Sequence, residues 1–274
     1  MVAHANQTTY QLSGLGQVYQ NVYNRLAGTG TSIKPWHFQW LGAYALQRNL
    51  KARLSTVHGR LLDVGCEQKP YGVFLDPSVV HVGIDLFAGP KVDVIYDGTH
   101  IPFPDHSFDA ILCTQVMEHA EDAEQVRNEM LRVLKPGGQL ILTVPFIYCE
   151  HSAPYDFRRF SLYGVDQFFG KQLEIKELAS QGAIGSTLGV MFLNWYDTQM
   201  DRNKITRLLK GITLPLYLPG TFLINMAGFL LDKIDRTNDF YHNVLLVGVK
   251  GGKQTQGEPI SSPILVEKKI LLGV

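Results

Sequence analysis

Short apolar runs, separated by glycine, proline and charged residues, recur along residues 59–146. These runs carry few charges, as a strand does when both of its faces are buried. The segments between them can hold helices, and strands that alternate with helices predict a parallel sheet. Five strands are predicted on this basis, at residues 61–64, 81–84, 92–96, 108–114 and 139–146.

Three helices are predicted around these strands. Apolar residues recur at helical spacing over residues 36–57, after a helix-start signal at 31–35, and this helix would cover one face of the sheet. A second apolar stripe includes Leu134 and is expected to end at the Lys-Pro-Gly-Gly segment 135–138. Ser161 is the predicted N-cap of a third helix.

The last third of the chain interrupts the sheet. Residues 173–179 alternate apolar and polar side chains, which predicts a strand near the sheet edge, and residues 243–249 predict the closing strand. Between these two strands lie two uncharged runs, 181–196 and 211–231. We therefore predict an apolar helical insertion before the last strand.

The run 211–231 has 21 residues without a charge, which is long enough by count to cross a membrane. Pro215, Pro219, Gly220 and Asn225 argue against one continuous spanning helix. We expect a buried or substrate-covering helical lid. The alternatives are a helix that lies in the membrane interface and a true span.

The loop after the first strand is expected to hold a nucleotide. Gly65 opens this loop, and Asp85 follows it at about the spacing of a ribose-binding carboxylate. Residues 66–70 lack the further glycines of a dinucleotide fingerprint. The charged residues nearest the predicted site are acidic, which disfavours a pyrophosphate and suits a positively charged nucleoside such as S-adenosyl-L-methionine (SAM). They are Asp63, Glu67, Asp85 and Asp97.

Composition narrows the possible functions. Hydrophobic residues make up 45% of the chain, enough for a packed core, and the formal net charge is zero, which disfavours nucleic acid as a partner. Cys66, Cys113 and Cys149 show no Cys-x-x-Cys spacing, so we predict neither a disulfide nor a metal site, and a reducing cytoplasm is expected. The first residues lack the basic and apolar regions of a signal peptide.

Four segments carry a family resemblance when they are taken together. They are LDVGC at 62–66, GID at 83–85, YDGTHIPFPDHSFDAILCTQVMEH at 96–119 and LRVLKPGGQLILTVPF at 131–146. In order and spacing they resemble the class I SAM-dependent methyltransferases, most closely the type 11 group, although Glu67 stands where that family usually has glycine. The resemblance implies an α/β fold: a Rossmann-like, seven-stranded methyltransferase sheet with helices on both faces.

The resemblance also implies where SAM would bind. Asp85 would contact the ribose, and Asp97 matches the position that contacts the adenine amino group in the family. The predicted cofactor-binding residues are Asp63, Gly65, Cys66, Asp85, Leu86, Asp97, Gly98, Thr114 and Gln115.

Methyl transfer to a hydroxyl needs an aligned acceptor, and a histidine near neutral pH is the usual base for its proton. A structural role, bonded to backbone, is the alternative for His119. The arginines of the polar loop 151–161 could clamp an anionic group or form a salt bridge within the loop. The predicted catalytic residues are His151, Asp156 and His119, and the predicted substrate-binding residues are Arg158, Arg159 and Tyr155.

The chain is thus expected to divide into five segments. They are an N-terminal arm and covering helix (1–58), a SAM-binding core (59–182), an apolar helical insertion (183–240), the closing strand (241–250) and a flexible tail (251–274).

The leading hypothesis is a cytoplasmic SAM-dependent methyltransferase, O-directed, that acts on a small-molecule or lipid- or glycan-linked acceptor, with a possible membrane-surface contact through 211–231. The end of the fourth strand lacks the Asn/Asp-Pro-Pro-Tyr/Phe segment of enzymes that methylate nucleobase amines. The alternatives are a non-catalytic SAM-fold binding module or a membrane-associated scaffold, which Glu67 keeps open, and a nicotinamide-dependent oxidoreductase, which the acidic loop disfavours.

Overall fold

The computed structural model describes residues 14–237 and 239–251, and a single sheet forms its centre. Most of the predicted tail therefore lies outside the described residues. The strands of this sheet are β1 (Arg60–Val64), β2 (Val80–Asp85), β3 (Val94–Ile95), β4 (Phe108–Thr114), β5 (Leu134–Pro145), β6 (Leu173–Gln181) and β7 (Asn243–Lys250).

The strand order is β3-β2-β1-β4-β5-β7-β6. The first five strands pair in parallel, and β7 lies antiparallel between β5 and β6. The order reverses between β1 and β4, and ligands of open α/β sheets bind at the carboxyl ends of the strands beside such a reversal. The predicted seven-stranded α/β fold is confirmed, with β6 at the sheet edge as predicted.

Helices surround the sheet, and three of them follow one another in the insertion between β6 and β7. Short 3-10 helices occupy Gly30–Ser32 and Pro70–Phe74. The α-helices of the described residues are α1 (Gly14–Ala27), α2 (Trp40–Leu54), α3 (Ala123–Val133), α4 (Leu162–Phe169), α5 (Ile184–Asp201), α6 (Lys204–Ile212) and α7 (Leu214–Ile234).

The alternation of side chains along β1 divides the core between the two faces of the sheet. Leu62 belongs to the apolar cluster that contains Met130 of α3. Its neighbour Leu61 belongs to the cluster that contains Leu50 of α2. The residues of β1 are therefore buried on both faces, which is why the strand reads as a continuous apolar run.

Two predicted boundaries are wrong for tertiary reasons. Helix α2 begins at Trp40 and not at the 31–35 signal, because the Asn225 side chain of α7 donates to the carbonyls of Pro35 and His37 and holds that segment outside the helix. Helix α3 ends at Val133, next to its predicted stop, but β5 starts at Leu134, where it pairs with Phe108, and not at residue 139 as predicted. The Lys-Pro-Gly-Gly segment therefore lies within a strand. The Ser161 cap is confirmed, since its Oγ accepts from the Gly164 N–H at 3.1 Å.

Helix α7 is continuous, which corrects the expectation that its prolines would interrupt it. Pro215 lies in the first turn, where a backbone N–H has no partner within the helix, so it removes no hydrogen bond. Pro219 lies inside the helix and removes one. Among the described residues α7 is the one helix long and apolar enough to cross a membrane, with a mean hydropathy of 1.5 and 28% of that stretch buried.

Candidate active site

The loop after β1 turns sharply at Gly65. The N–H groups of Gly65 and Cys66 both donate to the Ile84 carbonyl, at 2.9 and 3.0 Å, which joins this loop to β2. Gly65 has a φ of +69°, and a Cβ there would lie 2.4 Å from Val116 Cγ2. The position therefore requires glycine for both its backbone conformation and its close contact with the loop after β4.

Glu67 and Lys69 have the positive-φ backbone conformation that glycine adopts most easily. Their φ values are +44° and +50°, in the left-handed region that costs a residue with a Cβ about 1–2 kcal/mol. The Lys69 ammonium donates to the His81 carbonyl at 2.9 Å and pairs with Asp93, so the side chain fastens the loop to β2. Gly83 leaves room for it, because a Cβ there would meet Lys69 Cε at 2.4 Å.

Asp63 and Cys66, both predicted to bind the cofactor, are buried beneath this loop. Asp63 Oδ2 lies 2.9 Å from His81 Nε2, so the carboxylate has a partner inside the sheet. Burial raises the pKa of the Cys66 thiol to about 12. A ligand in the crevice would meet the backbone of Cys66, and Asp63 acts as an anchor between β1 and β2.

Asp85 closes β2 at the carboxyl edge of the sheet. Its Oδ2 accepts from the Glu67 N–H at 2.9 Å and its Oδ1 from the Phe87 N–H at 3.3 Å. A carboxylate has about four acceptor positions, so these two bonds orient it and still leave capacity for ribose hydroxyls. The side chain of Leu86 beside it is 46% exposed, as an apolar wall for a bound base requires.

Asp97 lies next along this edge, since the Tyr96 N–H donates to the Asp85 carbonyl at 3.0 Å. Its Oδ1 accepts from the N–H groups of Thr99 and His100 at 2.7 Å each, and these bonds lower the pKa of Asp97 to about 2. The carboxylate is therefore ionised at neutral pH. Gly98, with a φ of +83°, makes the turn.

The end of β4 brings Thr114 and Gln115 to the same edge. Thr114 is buried. Gln115 has a φ of +55°, and its side-chain amide donates to Thr143 Oγ1 at 3.2 Å on β5. These two residues thus shape the floor of the crevice between β4 and β5.

His119 and His151 meet although 32 positions separate them in the chain. Their Nε2 atoms lie 3.1 Å apart and their rings are perpendicular, with centroids 4.7 Å apart. Asp156 supports the pair, because its Oδ2 lies 3.2 Å from His151 Nδ1 and accepts from the His151 backbone N–H at 2.8 Å. Burial lowers the pKa of both imidazoles, and the neighbouring His119 further lowers that of His151. The neutral forms, which can accept a proton, are therefore favoured.

Glu118 belongs to this cluster, and sequence reasoning missed it. Its carboxyl is fully buried, with Oε1 3.7 Å from His119 Nε2 and 3.9 Å from His151 Nε2. Burial raises the pKa of Glu118 to about 8. The available signal was an acid directly before His119, in the apolar segment that follows β4.

The side chains of the predicted substrate-binding arginines are both bonded to other groups of the protein. The Arg158 guanidinium donates to the carbonyls of Met117, Ala120 and Glu121, and that of Arg159 forms a two-pronged pair with Asp156. Arg159 thus forms the alternative salt bridge within the loop, whereas Arg158 ties the loop after β5 to the loop after β4, and a clamp on substrate has no geometric support. Tyr155 is 65% exposed, and its carbonyl lies 2.6 Å from His119 Nδ1.

Comparisons with known proteins agree on the class of this domain. Residues 61–142 match the family described as a methyltransferase domain. A demethylmenaquinone methyltransferase of Renibacterium salmoninarum is 32% identical over 123 residues, covering 45% of this chain and 40% of the relative. An uncharacterized methyltransferase of Mycobacterium sp. is 42% identical over 72 residues, covering 26% of this chain and 28% of the relative. The matched region is thus less than half of either relative.

A solved structure, that of the cyclase SpnF, covers 86% of this chain and 95% of its own, with a TM-score of 0.53 and 19% identity. At that identity the likeness concerns the fold, and a fold by itself does not define the reaction. The family match, the curated relatives and the sheet topology lead to one conclusion: residues 61–142 of this chain form a SAM-dependent methyltransferase domain of the type 11 group within a seven-stranded α/β sheet.

Proposed function

We propose that this chain transfers the methyl group of SAM to a hydroxyl of a small-molecule or lipid- or glycan-linked acceptor. The observation that carries the proposal is the meeting of His119 and His151, with Nε2 atoms 3.1 Å apart, beside the predicted cofactor crevice. Both follow strands whose carboxyl ends border that crevice, and such ends are where ligands of this sheet type bind.

Methyl transfer from a sulfonium is an in-line displacement, so the protein must align acceptor oxygen, methyl carbon and leaving sulfur and keep water out. The acceptor hydroxyl loses its proton as the new bond forms. His151 Nε2 is placed to take that proton, while Asp156, 3.2 Å from Nδ1, stabilises the imidazolium that results.

The acceptor is a separate part of the proposal. The name of the Renibacterium relative makes demethylmenaquinone one acceptor to test, but as a quinone it offers a ring carbon and not a hydroxyl, so transfer to it would contradict the O-directed part of the proposal. Hydroxyl-bearing sugars and sterols test that part directly. The exposed apolar side chains of the insertion support an acceptor with an apolar part, since they would favour contact with such a molecule or with the lipid that holds it.

We also propose that α7 lies against the inner face of a membrane, so that the cytoplasmic chain is peripheral to it. The face of α7 that packs on the protein includes Thr221, Asn225 and Asp232, whereas Leu216 and Leu223 on the outer face are 77% and 66% exposed. Polar residues inside and apolar residues outside suit a lipid environment and not water. Binding of the chain to liposomes tests this proposal.

The enzymatic proposal is tested with two measurements on the same protein. Excess S-adenosylhomocysteine, at about a hundredfold its dissociation constant, should stabilise the fold by roughly 2.7 kcal/mol and raise the Tm by about 5–10 °C. Asp85→Ala should abolish the rise, whereas Asp76→Ala, an exposed aspartate outside the crevice, should keep it. Methyl transfer from labelled SAM to the candidate acceptors is then followed, with His151→Ala as the second variant.

The outcomes separate the alternatives. Stabilisation together with transfer that falls in His151→Ala supports the proposal. Transfer that is unchanged in His151→Ala removes this base and leaves the reaction standing. Stabilisation without transfer to any acceptor supports a binding module instead, and no stabilisation at all would overturn the cofactor site.

A further inference from the structure

Glu118, His119 and His151 converge on one point beside the crevice. The ligand-capable atoms, Glu118 Oε1 and the two Nε2 atoms, lie 3.1, 3.7 and 3.9 Å from one another. The three residues come from the loops that follow two neighbouring strands, β4 and β5, and their side chains are between 0 and 12% exposed. The cluster is therefore placed by the fold and shielded from solvent.

The hydrogen bonds of the two imidazoles define their tautomers. His119 Nδ1 lies 2.6 Å from the Tyr155 carbonyl, which can only accept, so this nitrogen carries the proton. His151 Nδ1 lies 3.3 Å from the Cys149 carbonyl and 3.2 Å from Asp156 Oδ2, so it is also a donor. In the neutral rings, both Nε2 atoms then hold lone pairs that face each other.

Glu118 supplies the second, independent observation. Both of its carboxyl oxygens are buried, and neither has a hydrogen-bond partner. A buried carboxylate without a partner is costly, and it points at the two Nε2 lone pairs. Three electron-pair donors that face one another are stabilised by a positive charge between them, which either a metal ion or a shared proton can supply.

We propose that Glu118, His119 and His151 bind a divalent transition-metal ion of the Zn²⁺ type. Metal–ligand bonds of about 2.0–2.2 Å place neighbouring ligand atoms about 3.0–3.5 Å apart, so the carboxylate need move only a few tenths of an ångström. Two imidazoles and one carboxylate suit Zn²⁺, Fe²⁺ or Mn²⁺, whereas Mg²⁺ and Ca²⁺ prefer oxygen ligands alone. This revises the expectation of no metal site, which rested on the cysteines.

The surroundings match those of a metal site. A metal-binding histidine usually donates its second ring N–H to a carbonyl or carboxylate, and here His119 donates to the Tyr155 carbonyl and His151 to Asp156 or the Cys149 carbonyl. Three protein ligands leave a coordination position open, as in catalytic and not in structural zinc sites.

The ion would act on the acceptor, and this part alone rests on the proposed function. When bound, the ion would supply Lewis-acid chemistry: it would lower the pKa of an acceptor hydroxyl at the open position and so make its deprotonation easier. In that case the histidines hold the ion, and they are not the base.

The test is calorimetric titration of the chelator-treated full chain with Zn²⁺, Mn²⁺ and Mg²⁺, together with Co²⁺ absorption spectra. We expect one Zn²⁺ per chain, weaker Mg²⁺ binding, and a loss of Zn²⁺ affinity of about 100-fold or more in Glu118→Gln and His151→Ala. His58→Ala, an exposed histidine outside the cluster, and Cys149→Ser, an exposed thiol beside it, are the controls and should bind as the parent does. Circular dichroism of each metal-free variant verifies its fold.

Absence of Zn²⁺ binding, or Zn²⁺ binding that persists in folded Glu118→Gln, would overturn the site. The two histidines would then share a proton at 3.1 Å. Methyl transfer that proceeds without any bound metal would overturn the role given to the ion in the reaction and keep the proposed function. One-to-one Zn²⁺ binding without methyl transfer would keep the metal site and count against the proposed function.

Discussion

At the scale of single residues, the loop after β1 has the backbone conformation of a glycine-rich loop at positions that are not glycine. The left-handed conformation occurs at every second residue, Gly65, Glu67 and Lys69, as it would in a glycine-rich loop. Two of these three residues carry a Cβ. The bonds made by the Glu67 N–H and the Lys69 ammonium offset that strain. Glu67 in a glycine position therefore does not by itself prevent the loop from adopting this conformation.

Gly65→Ala should destabilise the protein more than Gly137→Ala. Both glycines have a positive φ, +69° and +78°, but a Cβ at Gly65 meets Val116 at 2.4 Å, whereas Gly137 has open space around it. The conformation alone should cost about 1–2 kcal/mol, and the clash should add about 1–3 kcal/mol at Gly65. Urea unfolding of both variants measures the difference. Equal losses would show that the contact with Val116 is unimportant.

At the scale of elements, α7 reverses the usual arrangement of a surface helix, because polar side chains face the protein and apolar side chains face outward. The face that meets the rest of the protein carries Asn225 and Asp232, which bond to the backbone of the segment before α2 and of α5. The outer face is lined with leucines. Interior polar bonds hold the helix in place, so its apolar face remains available for lipid.

Replacing Leu216, Leu223 and Leu230 together by serine should weaken liposome binding by about 100-fold or more, since each buried leucine contributes about 1.5–3 kcal/mol. These residues recur every seven positions and are 77, 66 and 60% exposed. Liposome co-sedimentation is the measurement. The control replaces three exposed apolar residues remote in sequence from α7, Val73, Val80 and Ile95, by serine and should leave binding unchanged. If the parent chain stays in the supernatant, the membrane proposal is wrong.

At the scale of the whole molecule, the insertion and the core share buried histidines. His242 precedes β7, and its ring fills the space beside Gly182, at the entrance to the insertion. His37 lies against Tyr23 and Phe38, and its carbonyl accepts from Asn225 of α7. Burial lowers the pKa of each ring from 6.5 to about 4, so both are neutral in the folded protein at pH 7.

Stability should therefore fall on acidification. A group whose pKa is lower in the folded state than in the unfolded state costs stability as the pH falls from 6.5 towards 4, because the unfolded chain takes up the proton first. Between pH 7 and pH 5 each histidine should reduce the free energy of unfolding by about 2 kcal/mol. Urea unfolding at both pH values measures the decrease. His37→Gln and His242→Gln should each show a smaller decrease, and exposed His58→Gln should keep the full one. The same decrease in all three variants would contradict this assignment.

Features of the site that depend on local sequence were predictable, whereas features that depend on contacts between distant segments of the chain were not. Gly65, Asp85 and Asp97 were placed at the carboxyl edge of the sheet because each lies at or just after the end of a predicted strand, and parallel strands bring their carboxyl ends to one edge. The same rule placed His119 and His151 at this edge, but it did not predict their direct contact. The partnerless carboxyl of Glu118 and the internal bonds of Arg158 and Arg159 did not follow from it, since they depend on how the loop after β5 folds back onto the loop after β4.

The sequence by itself determined the strands, the alternation with helices and the methyltransferase class, because local periodicity and turn chemistry encode secondary structure and the motifs lie within it. Only the tertiary structure decided that α2 starts at Trp40, that α7 is unbroken with its leucines outward, and that Glu118 faces two histidines. Each of those depends on contacts between residues far apart in the chain. A local pattern does not contain such contacts, because packing and buried hydrogen bonds override propensity where the two disagree.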